Sequence, residues 1–168
     1  MAQAVAKTYK LLLGGAFVRS ESQRSYLTAA GTNVPRASRK DLREAVRTAR
    51  AAQPAWAQRT AYNRGQVLYR VAEVLSGRGS EFARLLGGGA AGSREVGRAI
   101  DHLVFYAGCA DKLDQLGGSV NGVAGPYFNF TIPEPVGVVA VVAPGRPALQ
   151  PLLSHLAAAL CGGNAVIG

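Results

Sequence analysis

The chain has 168 residues, 48% hydrophobic and 17% charged, with 19 Lys and Arg against 10 Asp and Glu for a net charge of +9. That balance excludes an intrinsically disordered chain, and the length suits one domain with a core, or one domain plus an appendage. The excess charge is arginine scattered from Arg36 to Arg98, with no RNA-binding aromatic signature, zinc-finger spacing or basic tail. It reads as solvated helix faces and argues against a nucleic-acid partner.

The first elements are short strands. "KLLLGG" and "AFV" are joined by glycines that permit a tight turn, and "SYLTA" follows a polar loop. "ASRKDLREAVRTARAAQPAW" predicts a helix with Ser38 as N-cap and Asp41 in the first turn. Leu42, Ala45, Val46 and Ala49 form its buried face, Pro54 stops or kinks it, and Trp56 packs in the corner that follows. A second helix is expected through Val67, Leu68, Val71, Val74 and Leu75, ended by Gly77 and Gly79. A third starts at Ser80 as cap. A fourth starts at Ser93 and runs through Val96, Ile100, Leu103, Val104, Ala107 and Leu113.

Beyond Gly117 and Gly118 the period changes to that of strands: "SVNG", "YFNFTI" and "VGVVAVVA". "PALQPLLSHLAAALCGG" is a helix and "NAVIG" the start of another strand. Two continuously apolar strands around an apolar helix make a β-α-β unit of a parallel sheet covered on both faces. The fold class is therefore α/β, with residues 1–116 as strands and a helical layer, 117–135 as further short strands, to which the resemblance described below gives a bridging role, and 136–168 as the start of a nucleotide-type sheet. The chain stops inside that sheet, and a truncated product is expected.

"GGGAAG", Gly87 to Gly92, satisfies G-x-G-x-x-G, but a phosphate cradle needs a strand before it and a helix precedes it here. An interhelical connector explains it. Cys109 and Cys161 are the only cysteines; "MAQAVAKTYK" has no apolar h-region, so no signal peptide is expected, and no apolar run reaches membrane length. Inert buried thiols in a reducing cytoplasm are expected. His102 and His155 have no partner at metal-ligand spacing, so no metal is expected.

The order of segments resembles the N-terminal portion of the aldehyde dehydrogenase superfamily. "LLLGGAFVRSES" is similar to its opening strand pair, and "ASRKDLREAVRTARAAQPAW" to its Ser-x-x-Asp…Ala-Val…Ala…Pro-x-Trp helix. "NRGQVLYRVAEVL", "EPVGVVAVVAP" and "ALCGGNAVI" are similar to later family segments in the same order, while "GGGAAGS" replaces a common Glu-Thr-Gly-Lys. The resemblance implies oxidation of an aldehyde to an acid with NAD or NADP, by attack of a Cys thiolate with a Glu as general base. Both of those residues lie well beyond position 168 in the family.

The family's Pro-Trp-Asn-Phe/Tyr-Pro loop, whose Asn holds the oxyanion, reads Pro144-Gly145-Arg146-Pro147 here, one residue short. By position, Ala143, Pro144 and Gly145 fall at the cofactor side, and Arg146 stands nearest the missing Asn. A loop without Trp-Asn is similar to the non-catalytic second unit of tandem-unit members. The resemblance thus implies a chain inactive alone. Its alternative is a pseudo-enzyme module that pairs with an active aldehyde dehydrogenase subunit, or with itself, through the strands near 117–132.

Overall fold

A computed structural model describes residues 7–29 and 31–168. The chain divides into two compact units, Met1–Ala51 and Ala52–Gly168, and the division falls within the first helix.

In the first unit, β1 (Leu11–Leu13) and β2 (Ala16–Val18) form an antiparallel hairpin. Gly14 and Gly15 turn it with φ of 58° and 80°, a left-handed pair that glycine reaches at little steric cost. β3 (Ser25–Leu27) pairs with β4 (Asn33–Pro35), a strand that periodicity did not announce. Three residues are too few to alternate visibly, and Pro35, which has no N–H to donate, sits at the strand's end.

Helix α1 (Arg39–Ala57) starts where its cap predicts. Ser38 Oγ accepts from the Asp41 N–H (3.3 Å), while the Asp41 carboxylate accepts from the Ser38 N–H (2.7 Å). Its other oxygen accepts from the Glu21 N–H at 2.8 Å, fastening the loop after β2 to the start of the helix. Ala49 is buried as expected, but Leu42 is 57% exposed. Pro54 does not stop the helix, which runs three residues further and closes with Gln58 N–H to Pro54 O.

In the second unit, α2 (Ala61–Gly77), α3 (Gly79–Leu85) and α4 (Gly89–Cys109) form the helical layer. Its core is Leu68, Ala72, Leu75, Ala83, Val96, Ala99, Leu103 and Ala110, joined by Ala157 and Cys161 from the last helix. Small residues bring the backbones close. A Cβ on Gly65 would lie 2.6 Å from the Ala107 carbonyl oxygen, and one on Gly92 would lie 2.5 Å from that of Ala83. This closeness decides the face of α2: Gly65, Leu68, Ala72 and Leu75 turn inward, leaving Val67, Val71 and Val74 exposed.

Two helix starts differ from expectation. Ser80 caps nothing, because α2 and α3 abut at Arg78, whose N–H bonds back to Val74 and Leu75. Helix α4 begins at Gly89, one turn before Ser93, whose hydroxyl bonds back to the Gly89 carbonyl. The glycine run is therefore half connector and half helix, and α3 precedes it rather than a strand. Cys109 is the last residue of α4. A 3-10 turn (Ala110–Lys112) and the short α5 (Leu113–Gly117) follow.

β5 (Ser119–Asn121) and β6 (Asn129–Thr131) form an antiparallel hairpin. β7 (Val138–Ala140), helix α6 (Leu149–Cys161) and β8 (Ala165–Ile167) complete the chain, with β7 and β8 parallel as the β-α-β reading requires.

The end of α6 is tied down from three sides. The Trp56 indole N–H donates to Leu160 O (2.9 Å) and the Gln53 amide to Gly163 O (3.2 Å). Arg64 donates from Nε to Cys161 O (3.1 Å) and from one terminal nitrogen to Ala57 O (3.3 Å) and Arg59 O (2.7 Å). A cation on the carbonyls that end a helix meets the negative pole of its dipole. Arg64→Met keeps the stem and removes every donor. It is expected to lower unfolding stability by about 2–3 kcal/mol in urea titration, with Arg64→Lys recovering only part.

Asp41 gives the first unit a pH dependence. The backbone N–H groups of Glu21 and Ser38 hold its carboxyl below the usual carboxylate range. A depressed folded-state pKa contributes stability above the unfolded value near 4, lost as pH falls through the folded one. The Asp41→Asn chain is expected to be less stable than wild type at neutral pH, and thermal melts of the two should converge in strong acid.

Candidate functional site

The carboxyl end of β7 is where a parallel sheet receives ligands. The ladder pairs Val138 with Ala165, Val139 with Val166 and Ala140 with Ile167. Backbone bonds from Ala165 N–H to Gly137 O and from Val141 N–H to Ile167 O, both 2.8 Å, extend it at either end. Asn164 fixes the opposite end of the unit: its Oδ1 accepts from Gly137 N–H (2.9 Å) and its Nδ2 donates to Ala159 O (3.1 Å).

The loop after β7 turns outward at once. Val141 is buried while Val142 is 92% exposed. Ala143 is half-buried, and Pro144, Gly145, Arg146 and Pro147 are all exposed. Ala143, Pro144, Gly145 and Arg146 thus lie together in the loop between β7 and α6. Arg146 takes part in none of the ion pairs among the described residues.

Helix α6 starts directly after this loop, and the free N–H groups at a helix start attract anions such as phosphate. They are already used. Glu95, from α4, accepts from the Leu149 N–H at 2.7 Å and from the Gln150 N–H at 3.4 Å. A carboxylate in that position repels a phosphate, so the α6 N-terminus does not fit a dinucleotide's pyrophosphate. Sequence reasoning missed Glu95 because, three residues before Arg98, it has the spacing of an ordinary surface pair.

A second tie from α4 lies one turn along. His102 Nε2 is 3.0 Å from the Gln150 amide nitrogen and Nδ1 is 3.5 Å from Ser154 Oγ. With the amide donating, the ring proton sits on Nδ1 and faces the hydroxyl. His102 is a packing histidine between two helices, and His155 is exposed. No group of three potential metal ligands occurs among the described residues.

Neither thiol lies in the loop. Cys161 is 1% exposed in the core at the end of α6, and burial, with Cys109 nearby, pushes its thiol up. Such a group is poorly nucleophilic at neutral pH. Cys109 packs against the same cluster.

Comparison with known proteins gives this geometry its family. The model of the aldehyde dehydrogenase family matches residues 18–168. The chain belongs to the aldehyde dehydrogenase family. It is 33% identical over 175 residues to the cytosolic 10-formyltetrahydrofolate dehydrogenase of Mus musculus, covering 95% of this chain and 19% of that enzyme. It superposes on the NAD+ complex of an aldehyde dehydrogenase from Bacillus cereus with a TM-score of 0.87 and 25% identity, covering 95% of this chain and 35% of that one. For an NAD-dependent aldehyde dehydrogenase from Sinorhizobium meliloti the TM-score is 0.84 at 25% identity, over 96% and 35%. The chain therefore spans about a fifth of the mouse enzyme and a third of the bacterial ones. No described helix is long and apolar enough to cross a membrane.

Glu95→Ala is expected to leave two N–H groups of α6 without an acceptor. At about 1 kcal/mol for a lost cap, amide exchange at Leu149 and Gln150 should quicken roughly fivefold, with exchange in α2 unchanged.

Proposed function

We propose that this chain serves NAD- or NADP-dependent oxidation of an aldehyde to an acid as a non-catalytic part of the fold. It supplies the helical layer and the first β-α-β unit of the nucleotide sheet, and alone it does not turn aldehyde over. The observation that carries this reading is the placement of the thiols: Cys161 is buried with a raised pKa, and the loop at the end of β7 offers Arg146 where a side-chain amide would hold an oxyanion. Arginine's long fork does not reproduce the position of an amide. In this reading Ala143, Pro144 and Gly145 line the cofactor side by loop position, and the cofactor's phosphates are held by groups other than the α6 N-terminus. The two free thiols fit a reducing cytoplasm.

The second reading is a pseudo-enzyme module, similar to the silent unit of a tandem-unit member, that pairs with itself or with an active aldehyde dehydrogenase subunit. The hairpin of β5 and β6, within the bridging segment 117–135, favours it. One face carries Ser119, Asn121, Asn129 and Thr131, hydrogen-bonded to one another. The other carries Val120 opposite Phe130, with the Phe128 ring tilted beside it at 5.4 Å, and these are 72%, 56% and 75% exposed. A two-stranded hairpin with an uncovered apolar face is not self-sufficient.

Purified chain incubated with short aldehydes and NAD+ or NADP+ is expected to form no reduced cofactor, and sustained turnover would overturn the first reading. In sedimentation, the chain is expected to associate, or to co-purify in stoichiometric ratio with an active subunit. The double variant Val120→Ser, Phe130→Ser should stay monomeric and folded.

A further inference from the structure

The polar face of the β5–β6 hairpin carries a chemistry that no family role requires. Of the chain's five asparagines, only Asn121 precedes a glycine. Asn121 ends β5, and Gly122 lies just beyond it, exposed and with no atom within 4 Å of where a Cβ would sit. The Gly122 N–H takes part in none of the loop hydrogen bonds among the described residues. The asparagine amide is held by its neighbours. Ser119 Oγ donates to Asn121 Oδ1 at 2.9 Å, and Asn121 Nδ2 donates to Asn129 Oδ1 (2.9 Å) and Thr131 Oγ1 (3.0 Å).

We propose that Asn121–Gly122 is a self-modifying site, at which the Ser119 hydroxyl promotes conversion of Asn121 to aspartate and isoaspartate. The backbone nitrogen of Gly122, having lost its proton to hydroxide, attacks Cγ of Asn121. A new N–Cγ bond closes a five-membered succinimide, the Cγ–Nδ2 bond breaks, and ammonia leaves after taking a proton from water. Water then opens the ring at either carbonyl, and no oxidant or reductant takes part. Ring closure is intramolecular, so attack needs only rotation within Asn121 to bring the two atoms together. Negative charge develops on Oδ1 during attack, and that oxygen already accepts from a placed hydroxyl. Glycine leaves the attacking nitrogen unshielded, as any residue with a Cβ does not.

The product changes the hairpin. A carboxylate at position 121 faces the Asn129 Oδ1 that formerly accepted its proton, so a donor–acceptor contact becomes acceptor against acceptor. The isoaspartyl form adds a methylene to the backbone opposite Asn129 and breaks their register.

Peptide mapping by mass spectrometry, with an isoaspartyl-specific methyl-transfer assay, follows the folded chain over time at neutral and mildly alkaline pH. Asn121 is expected to convert while Asn33, Asn63, Asn129 and Asn164 do not, at a rate that rises with pH. Ser119→Ala should slow conversion about tenfold in the folded chain and not at all in urea, the size of one hydrogen bond held in the transition state. Ser119→Thr, which keeps the hydroxyl, should restore the rate. Gly122→Ala, which has room for its methyl group, should slow conversion about tenfold or more in folded and urea-unfolded chain alike, without unfolding the chain. Intact Asn121 in the folded chain over a time that converts the urea-unfolded chain would overturn the proposal. Equal rates for wild type and Ser119→Ala would do the same.

Discussion

Helix α6 is held at both poles by opposite charges drawn from other helices, and the arrangement of the second unit depends on it. Glu95 sits on the N–H groups of Leu149 and Gln150 at one end, and Arg64 on the carbonyl of Cys161 at the other. Each charge is opposite in sign to the pole of the helix dipole it meets. Because Arg64 also binds the carbonyls of Ala57 and Arg59, one side chain joins the end of α1, the start of α2 and the end of α6. The crossover helix is thereby placed before any ligand arrives. The strands it connects follow: Asn164, leaving α6, meets Gly137, entering β7.

This explains which parts of the fold were legible in the sequence. The strand–helix–strand run from 136 to 168 needed only apolar continuity and length, and Gly14-Gly15 needed only the conformational freedom of glycine. The capping pair of Ser38 and Asp41 is local, three residues apart, and was read at its true place. The face of α2 was not legible, because a valine stripe outweighs Gly65 and Ala72 in hydrophobicity. The structure chooses by backbone approach instead, with Gly65 set against the Ala107 carbonyl. Likewise the start of α4 was hidden by a glycine run that periodicity counts as a break, although only Gly92 of that run is required by packing, against the Ala83 carbonyl of α3. Arg64 and Glu95, which matter most, were invisible as functional groups, since their partners are backbone atoms 97 and 54 residues away.

The turn between β7 and α6 was legible in the sequence, but its surroundings were not. The loop after β7 stands where strand order places it, yet its surroundings decide what it can hold. A phosphate at the α6 N-terminus would have to displace a carboxylate from two hydrogen bonds, and anion binding there is closed by the same contact that positions the helix. With the helix start occupied, what the β7–α6 turn presents to solvent is the loop itself. Its side chains there are Pro144, Arg146 and Pro147, with Gly145 between them.

The core carries a related consequence. It is built largely of alanine and glycine, which lets helices approach closely but removes little apolar area per residue from water. The large side chains lie outside: Phe105, Tyr127, Phe128, Val136 and Val142 are between 62% and 92% exposed. Tight backbone packing and exposed aromatics together describe a surface whose hydrophobic stabilisation is not yet realised within these residues. The polar face of the β5–β6 hairpin, satisfied by its own Ser119, Asn121, Asn129 and Thr131 network, leaves the apolar face as the only one with free energy to gain by association. A charge introduced at Asn121 would loosen the strand pair from the polar side, and with it the alignment of Val120 and Phe130 on the other.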